Sequence, residues 1–420
     1  MPKLDVVIVG AGMSGLTAAN ALLAAGKSCL VVDAQDRPGG RMATDLVDGF
    51  LLDRGFQVLQ TAYPSVHRWI AINQLQGKLF LPGARIWLRH RRRTMVDPWR
   101  CPGLIPTLAL EGIGSPIDWW KLRRLRRACL QVNQLEVSRM NQTTADYWNH
   151  EYRLGESVRK NFLKPWMSGV FLERQMEVPS AFFRWIFGMQ ARGDALLPRE
   201  GIQAIPRQLA MRLPAGGLRT GFQVARIEPG VVEAEDGSRL EASAVLLATE
   251  RSKVAQLVGS SIVDEGSRVT CCDYFATREA PPAGPWLHLF PDPQAPIVHA
   301  SIPTQLHPSM APDRQQLISA SWVGAPSESP ASPTEVAQYL QQLWRLPQNA
   351  LRHLKRYHLL DALPRWPSDS EASQSEGIQR DGQQGIFYAG DYTRHPSLQG
   401  AMESGEFAAG AILKWLSQHG

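Results

Sequence analysis

A chain of 420 residues exceeds what one hydrophobic core usually serves, so two domains are expected. With 44% apolar and 20% charged residues the composition is that of a soluble globular protein, and the five cysteines carry no CxxC or zinc-ligand spacing. The net charge of +6 is concentrated: residues 85–127 hold eleven Lys/Arg against Asp97, Glu111 and Asp118, an excess of eight. The remainder is therefore slightly acidic, and with no recognition module anywhere, nucleic-acid binding is excluded.

The first forty-one residues carry most of the information. The run Leu4 to Val9 predicts a buried parallel strand. Gly10-Ala11-Gly12-Met13-Ser14-Gly15 follows, and then an alanine- and leucine-rich helix to Gly26. A second apolar run, Cys29 to Val32, ends in Asp33, and Gly39-Gly40-Arg41 comes next. Glycines let the backbone turn tightly and approach a pyrophosphate, while the helix aims free N–H groups and its positive dipole end at it. Asp33 stands where a carboxylate accepts from ribose hydroxyls, and its charge favours FAD or NAD over NADP. No charge intervenes between Val6 and Lys27, a length that imitates a membrane span. No basic leader or small-residue cleavage site accompanies it, so neither signal peptide nor anchor is expected, and five free thiols fit a cytoplasmic protein.

Farther on, Val47 to Leu59 reads as a hairpin turning at Asp48-Gly49. Residues from about 62 to 198 read as mostly helical, and Phe182 to Phe187 as an aromatic cluster of the core. Within that stretch Ser115-Pro116-Ile117-Asp118 predicts a helix start, with Trp119, Leu122, Leu125 and Cys129 on one face and arginines around the rest. Two readings of the basic patch stay open: a core-packed helix with a solvated basic face, or peripheral contact of residues 85–127 with an anionic membrane surface.

From Gly221 the pattern changes to short strands: Phe222 to Ile227, Val231 to Glu235, Leu240 to Glu241 and Ala244 to Thr249. Val269 to Thr277, Trp286 to Phe290, Ile297 to Ile302 and Leu317 to Trp322 read as a second sheet, with Cys271 and Cys272 packed in its first strand. Gly324 to Pro333 and Pro367 to Gly377 read as exposed loops. Gly385 to Asp391 is a strand running into a glycine-acid turn, and Ser397 opens a helix to about Gln418. On that helix Gly400, Ser404 and Ala408 recur every four residues, which allows a neighbour to approach closely. The layout implies an α/β cofactor domain assembled from both chain ends (1–61, 199–265 and 378–420), with an inserted substrate domain (62–198 and 266–377).

Gly10 to Gly15, Gly39-Gly40-Arg41, Asp53-Arg54-Gly55-Phe56 and Ala389-Gly390-Asp391-Tyr392-Thr393 with Gly400 to Gly405 together resemble the flavin-containing amine oxidase superfamily. That superfamily includes monoamine oxidases, protoporphyrinogen oxidases and carotenoid desaturases and isomerases. The tail wording looks most like plant-type phytoene desaturases. The resemblance covers roughly the first sixty and last thirty-five residues, and elsewhere only the layout agrees. It implies a Rossmann-like FAD-binding domain with an inserted α+β domain of mixed sheet and helices.

Carried over by position, Gly10, Gly12, Ser14 and Gly15 line the pyrophosphate with Gly40 and Arg41, and Asp33 meets the adenosine ribose. Gly55 and Phe56 approach the flavin ring, Val224 offers its backbone to adenine, and Gly390 and Asp391 lie near the ribityl chain. Gly400 and Ala401 point helix N–H groups at the pyrimidine edge, which favours the reduced, negatively charged flavin.

Three departures qualify the match. Gln35 stands where the family often has arginine, no aromatic lies between Thr393 and Gly400, and no tail cysteine suits covalent attachment, so FAD is expected to be noncovalent. The activity implied is removal of a hydride from a C–H bond of an apolar, isoprenoid- or tetrapyrrole-like molecule, with oxygen or a quinone as electron acceptor. Amine oxidation to an imine and hydrogen peroxide, and redox-neutral polyene isomerisation, are the alternatives. No Ser/His/Asp, Cys/His or metal-ligand constellation is legible, so no catalytic side chain is assigned, and Arg394 and His395 receive no catalytic role.

Overall fold

The computed structural model describes residues 4–89, 91–133, 142–258, 266–365 and 384–419. The opening β-branched run forms strand Leu4–Val9, with Val6, Val7 and Ile8 fully buried. Cys29–Val32 pairs in parallel along one of its edges and Arg239–Leu247 along the other. Leu218–Arg219 extends the first edge, and Ile386–Tyr388 pairs in parallel with the end of the long strand. Both chain ends therefore meet in one sheet. Its two faces carry different cores: Val6, Ile8, Val31, Ala244, Leu246 and Phe387 pack on one, and Val7, Val9, Val32, Val245, Leu247 and Tyr388 on the other. Burial on both faces is what continuous apolar strands of a parallel sheet require.

Crossover helix Met13–Ala24 packs against the C-terminal helix Leu398–His419. Of the small residues predicted to permit a close approach, Ser404 and Ala408 are fully buried, while Gly400 lies against His395 instead; at this crossing the closest contact is Gly405, whose Cβ would lie 2.2 Å from the Ser14 carbonyl oxygen. The hairpin Val224–Glu228 and Val231–Ala234 pairs with the start of Arg239–Leu247 before that strand enters the parallel sheet. The two short strands expected there are thus one continuous strand.

A second sheet runs in the order Arg352–Pro364, Ser267–Thr277, Gln316–Gly324, His299–Ser301, Leu287–Leu289, Gly83–Leu88, Arg91–Val96. The four middle strands fall where expected. The last two correct the largely helical expectation for residues 62–198. Ala84 and Ile86 point into the core from Gly83–Leu88, at 2% and 0% exposure, but Arg85 and the Arg91-Arg92-Arg93 run hide that two-residue period in the sequence. Three more strands fall near that stretch: Lys78–Leu79 within it, and Leu59–Gln60 and Ala195–Leu197 where the expected boundaries lie, joined as one three-stranded sheet.

The helix start at Ser115 is as the sequence implies. Helix Pro116–Leu130 carries a capping box, in which Ser115 Oγ accepts from the Asp118 N–H and the Asp118 carboxylate from the Ser115 N–H. Its inner face buries Leu125 and Cys129 against helix Ser180–Arg192, close enough that a Cβ on Gly188 would meet the Cys129 carbonyl oxygen at 2.4 Å. The Phe182–Phe187 cluster lies on that second helix, with Phe182, Phe183 and Trp185 buried. Of the two loops expected in the second half, Pro367 to Gly377 lies outside the described residues.

Candidate functional site

The three glycines of the first turn meet three different demands. Gly10 sits at φ +110°, and a Cβ there would lie 2.5 Å from the Ala248 carbonyl oxygen. Gly15 brings the helix down onto the strand, since its Cβ would fall 2.0 Å from the Gly10 carbonyl oxygen. At Gly12 a Cβ would meet nothing within 4 Å. The helix behind it has no side-chain cap and no acid in its first turn. An open approach to an uncapped helix end is the cradle a pyrophosphate fills, so the residues present fit a dinucleotide.

Other predicted residues gather around this turn. Asp33 accepts from the Ala11 N–H at 2.6 Å and the Gln35 N–H at 2.7 Å, and a carboxylate retains further acceptor sites beyond those two. The Phe222 N–H donates to the Asp33 carbonyl at 2.8 Å, which sets the Val224 hairpin beside Asp33. Gly40, at φ +57°, places its Cβ position 3.5 Å from the Gly12 Cα, so the second glycine pair faces the first. Ser14 lies at the crossing with the C-terminal helix, where the Ser404 hydroxyl reaches it at 3.2 Å.

Arg41 and Asp391 were assigned to different parts of the cofactor, yet they pair with each other at 2.7 Å. Arg41 also donates to the Ala362 carbonyl at 2.8 Å, tying this point to the edge strand of the second sheet. The Gly390 N–H donates to Ser404 Oγ at 3.0 Å. Gly55, at φ +83°, lies against Leu359 of the same edge strand, and Phe56 meets Phe80 edge-to-face at 5.9 Å.

At the start of the C-terminal helix the Gly400 and Ala401 N–H groups have partners within the chain. The Gly400 N–H donates to Ser397 Oγ at 3.1 Å and the Ala401 N–H to the Ser397 carbonyl at 2.9 Å. Both donors are consumed within the turn because Ser397 caps the helix. Glycine is needed at 400 for another reason: its Cβ would lie 2.1 Å from the His395 carbonyl oxygen.

Sequence reasoning missed what surrounds that turn. His395 stands in the interval read as lacking an aromatic wall, and its ring lies 4.8 Å from Trp185 and 5.6 Å from Phe182. Tyr63 stacks on Trp185 at 5.7 Å with rings 6° apart. His395 Nδ1 meets Ser397 Oγ at 2.9 Å, and Nε2 lies 3.5 Å from the Glu403 carboxylate. Burial raises the Glu403 pKa, but His395 and Gln399 outweigh that and hold it below the ordinary value. The imidazole and its aromatic partners are far apart in sequence, which is why only the fold reveals them.

Of two acids on the neighbouring hairpin, sequence reasoning missed Asp45 and gave Asp53 a place in a motif but no role. Asp45 accepts from Arg37, from Tyr357 Oη at 2.7 Å, and from Arg54 and Lys355 at 3.2 Å. Burial pushes its carboxyl up, and these four donors together hold it well below the usual range. Asp53 is the opposite case. Burial pushes it up to about 6, against hydrogen bonds from Thr44 Oγ1 and the Ile202 N–H.

Residues 13–413 match the family described as flavin containing amine oxidoreductase. The phytoene dehydrogenase of Streptomyces griseus is 28% identical over 257 residues, covering 54% of this chain and 50% of its own length. The putrescine oxidase of Kocuria rosea is 53% identical over 53 residues, covering 13% of this chain and 11% of its own. The chain thus spans half or less of the length of these curated relatives. An oxidoreductase of Methanosarcina mazei superimposes with a TM-score of 0.74 at 18% identity, over 96% of this chain and 99% of that one, which shows a shared fold.

Proposed function

The chain belongs to the flavin-containing amine oxidoreductases, and on that premise we propose an FAD-dependent oxidoreductase that removes a hydride from a C–H bond of an apolar, isoprenoid- or tetrapyrrole-like molecule. The observation that carries the cofactor is Gly12, open to approach while Gly10 and Gly15 are sealed by backbone. A bound flavin supplies the hydride acceptor.

The protein's part is to hold and enclose. The free end of helix Met13–Ala24 takes the pyrophosphate, and Asp33 retains acceptor capacity for ribose hydroxyls. Arg41, locked by Asp391 and the Ala362 carbonyl, fixes the position of the first-half glycines relative to the tail. Ser397 and Gly400 shape the first turn of Leu398–His419, whose dipole presents positive potential there. No cysteine lies beyond Cys272, in keeping with noncovalent FAD. The rings of Tyr63, Phe182, Trp185 and His395 pack together beside that turn, an aromatic flank that suits an apolar substrate. Oxygen or a quinone is the proposed electron acceptor.

Amine oxidation is the second reading, favoured by the Glu403 carboxylate beside His395, which would attract an ammonium group. Anaerobic titration of the flavin-loaded protein decides between them by loss of visible absorption. Bleaching by carotenoid precursors or porphyrinogens supports the first reading, and bleaching by amines alone supports the second. A flavin that none of these bleaches refutes both.

A further inference from the structure

Large apolar side chains exposed to solvent are scattered over most of the surface, but residues 99–120 concentrate them. Trp99 is 52% exposed, Ile105 49%, Leu110 81%, Ile117 64% and Trp120 55%. They come from three consecutive pieces: the turn after strand Arg91–Val96, the short helix Ile105–Glu111, and the first turn of helix Pro116–Leu130. These pieces are joined into one lobe. Arg93 reaches the Leu110 carbonyl, Thr94 Oγ1 donates to Glu111 at 2.6 Å, and Trp119 Nε1 to the Ile113 carbonyl at 2.9 Å.

The short helix is the unusual part. Residues 101–110 contain no charge, and of the helix only Leu108 is buried, so its remaining apolar side chains face water. An apolar helix exposed in this way marks a contact surface.

The charges around it say which. Several arginines of the region are already satisfied: Arg126 pairs with Asp97 at 2.9 Å, Arg100 with Asp194, and Arg92 with Glu111 at 3.5 Å. Arg91, Arg123, Arg124 and Arg127 are exposed and, among the described residues, have no carboxylate in ion-pair range. Arg124 instead lies over the Trp120 ring at 4.9 Å. The fold thus holds a solvent-facing apolar wedge, with tryptophans at its margin and unpaired positive charge beside it. Four unpaired arginines of one sign beside an apolar wedge complement an anionic lipid surface, and the tryptophans at its margin suit the headgroup level of a bilayer.

We propose that residues 91–127 dock this protein onto a bilayer containing anionic lipid, with Ile105, Leu110, Ile117 and Trp120 entering the interface and Arg91, Arg123, Arg124 and Arg127 facing the headgroups. No described helix is long and apolar enough to cross a membrane, so the contact is with one leaflet. The exposed arginines supply attraction of a sort that salt weakens, and the wedge supplies a part that salt does not.

The test is co-sedimentation of the flavin-loaded protein with vesicles of phosphatidylcholine alone and of phosphatidylcholine mixed with phosphatidylglycerol. The expected result is binding to the anionic vesicles that rising salt weakens. Arg123→Ala with Arg127→Ala should weaken it about 30-fold on anionic vesicles and leave phosphatidylcholine binding unchanged. Leu110→Ser should weaken binding about tenfold or more on both. Both variants alter exposed side chains, and their thermal unfolding should match the parent's. Absence of binding to either vesicle overturns the proposal. So does sizing that shows a dimer broken by Leu110→Ser, which would assign the wedge to a second copy of the chain.

Discussion

Gly12→Ala and Gly15→Ala should separate the cradle from the packing beneath it. At Gly12 the added methyl meets nothing within 4 Å, and φ −74° with ψ −179° is comfortable for alanine. Alanine caps a helix less well than glycine, by ~0.5–1 kcal/mol, but it also restrains the unfolded chain by ~0.4–1 kcal/mol. These oppose each other, so the apoprotein should stay within about 1 kcal/mol of the parent. At Gly15 the methyl would sit 2.0 Å from the Gly10 carbonyl oxygen and 3.2 Å from the Ala248 Cβ. The helix must then lift off the strand, an overpacking cost of ~1–3 kcal/mol.

FAD makes the distinction sharp. A ligand at 100 times its Kd stabilises the fold by ~2.7 kcal/mol. With an unfolding entropy of ~2.1 cal/mol/K per residue over 420 residues, that raises Tm by roughly 3 °C. Thermal unfolding of apoprotein with and without FAD reads both effects. The parent should show the full shift. Gly12→Ala should keep the apoprotein Tm and lose the shift, and Gly15→Ala should lower the apoprotein Tm by roughly 1–3 °C. A Gly12→Ala protein that keeps the whole shift would refute the assignment of that open space to the pyrophosphate.

Other consequences follow from single contacts. Asp53 has a native pKa of about 6, above its ordinary 3.8, so the native state holds the proton more tightly and stability falls as pH rises through that interval. Asp53→Asn keeps an acceptor for Thr44 and Ile202 and removes the charge; urea unfolding should show a gain of up to ~3 kcal/mol near pH 8 and none near pH 4, whereas a pH-independent difference would contradict this. Ser115→Ala and Ser332→Ala each remove one capping box, and each should cost ~1 kcal/mol in the same assay. Gly405→Ala forces a methyl to 2.2 Å from the Ser14 carbonyl oxygen, so it should lower stability by ~1–3 kcal/mol and also weaken FAD retention on dialysis.

What the sequence made legible was local or periodic. The glycine turn, the Asp48-Gly49 hairpin with both φ positive, the Ser115 cap and the small-residue face of the last helix each carry their cause in a few adjacent residues. Helix Pro333–Trp344 could have been found the same way. Its Ser332-Pro333-Thr334-Glu335 start repeats the pattern of Ser115-Pro116-Ile117-Asp118, although Pro333 also closes the Ser/Pro-rich run that reads as a loop.

Strand Arg352–Pro364 had no such signal. It is an edge strand with only Tyr357 fully inside, so charge obscures its alternation. The arginines of Gly83–Val96 misled in the same manner. Nor could spacing reveal that Asp45 gathers donors from Arg37, Arg54, Lys355 and Tyr357, or that the His395 ring packs at a tilt against Trp185, because those partners are supplied by tertiary folding. The pairing of Arg41 with Asp391 joins two residues that the sequence picked out separately.

The claim on which the rest depends is that the two chain ends close around one noncovalent FAD. Mild denaturation of the purified protein, followed by chromatography of the released chromophore, measures this directly. The prediction is one equivalent of FAD per chain, recovered free in solution without proteolysis. Well-folded protein that carries no flavin, and takes none up when FAD is supplied, would contradict it.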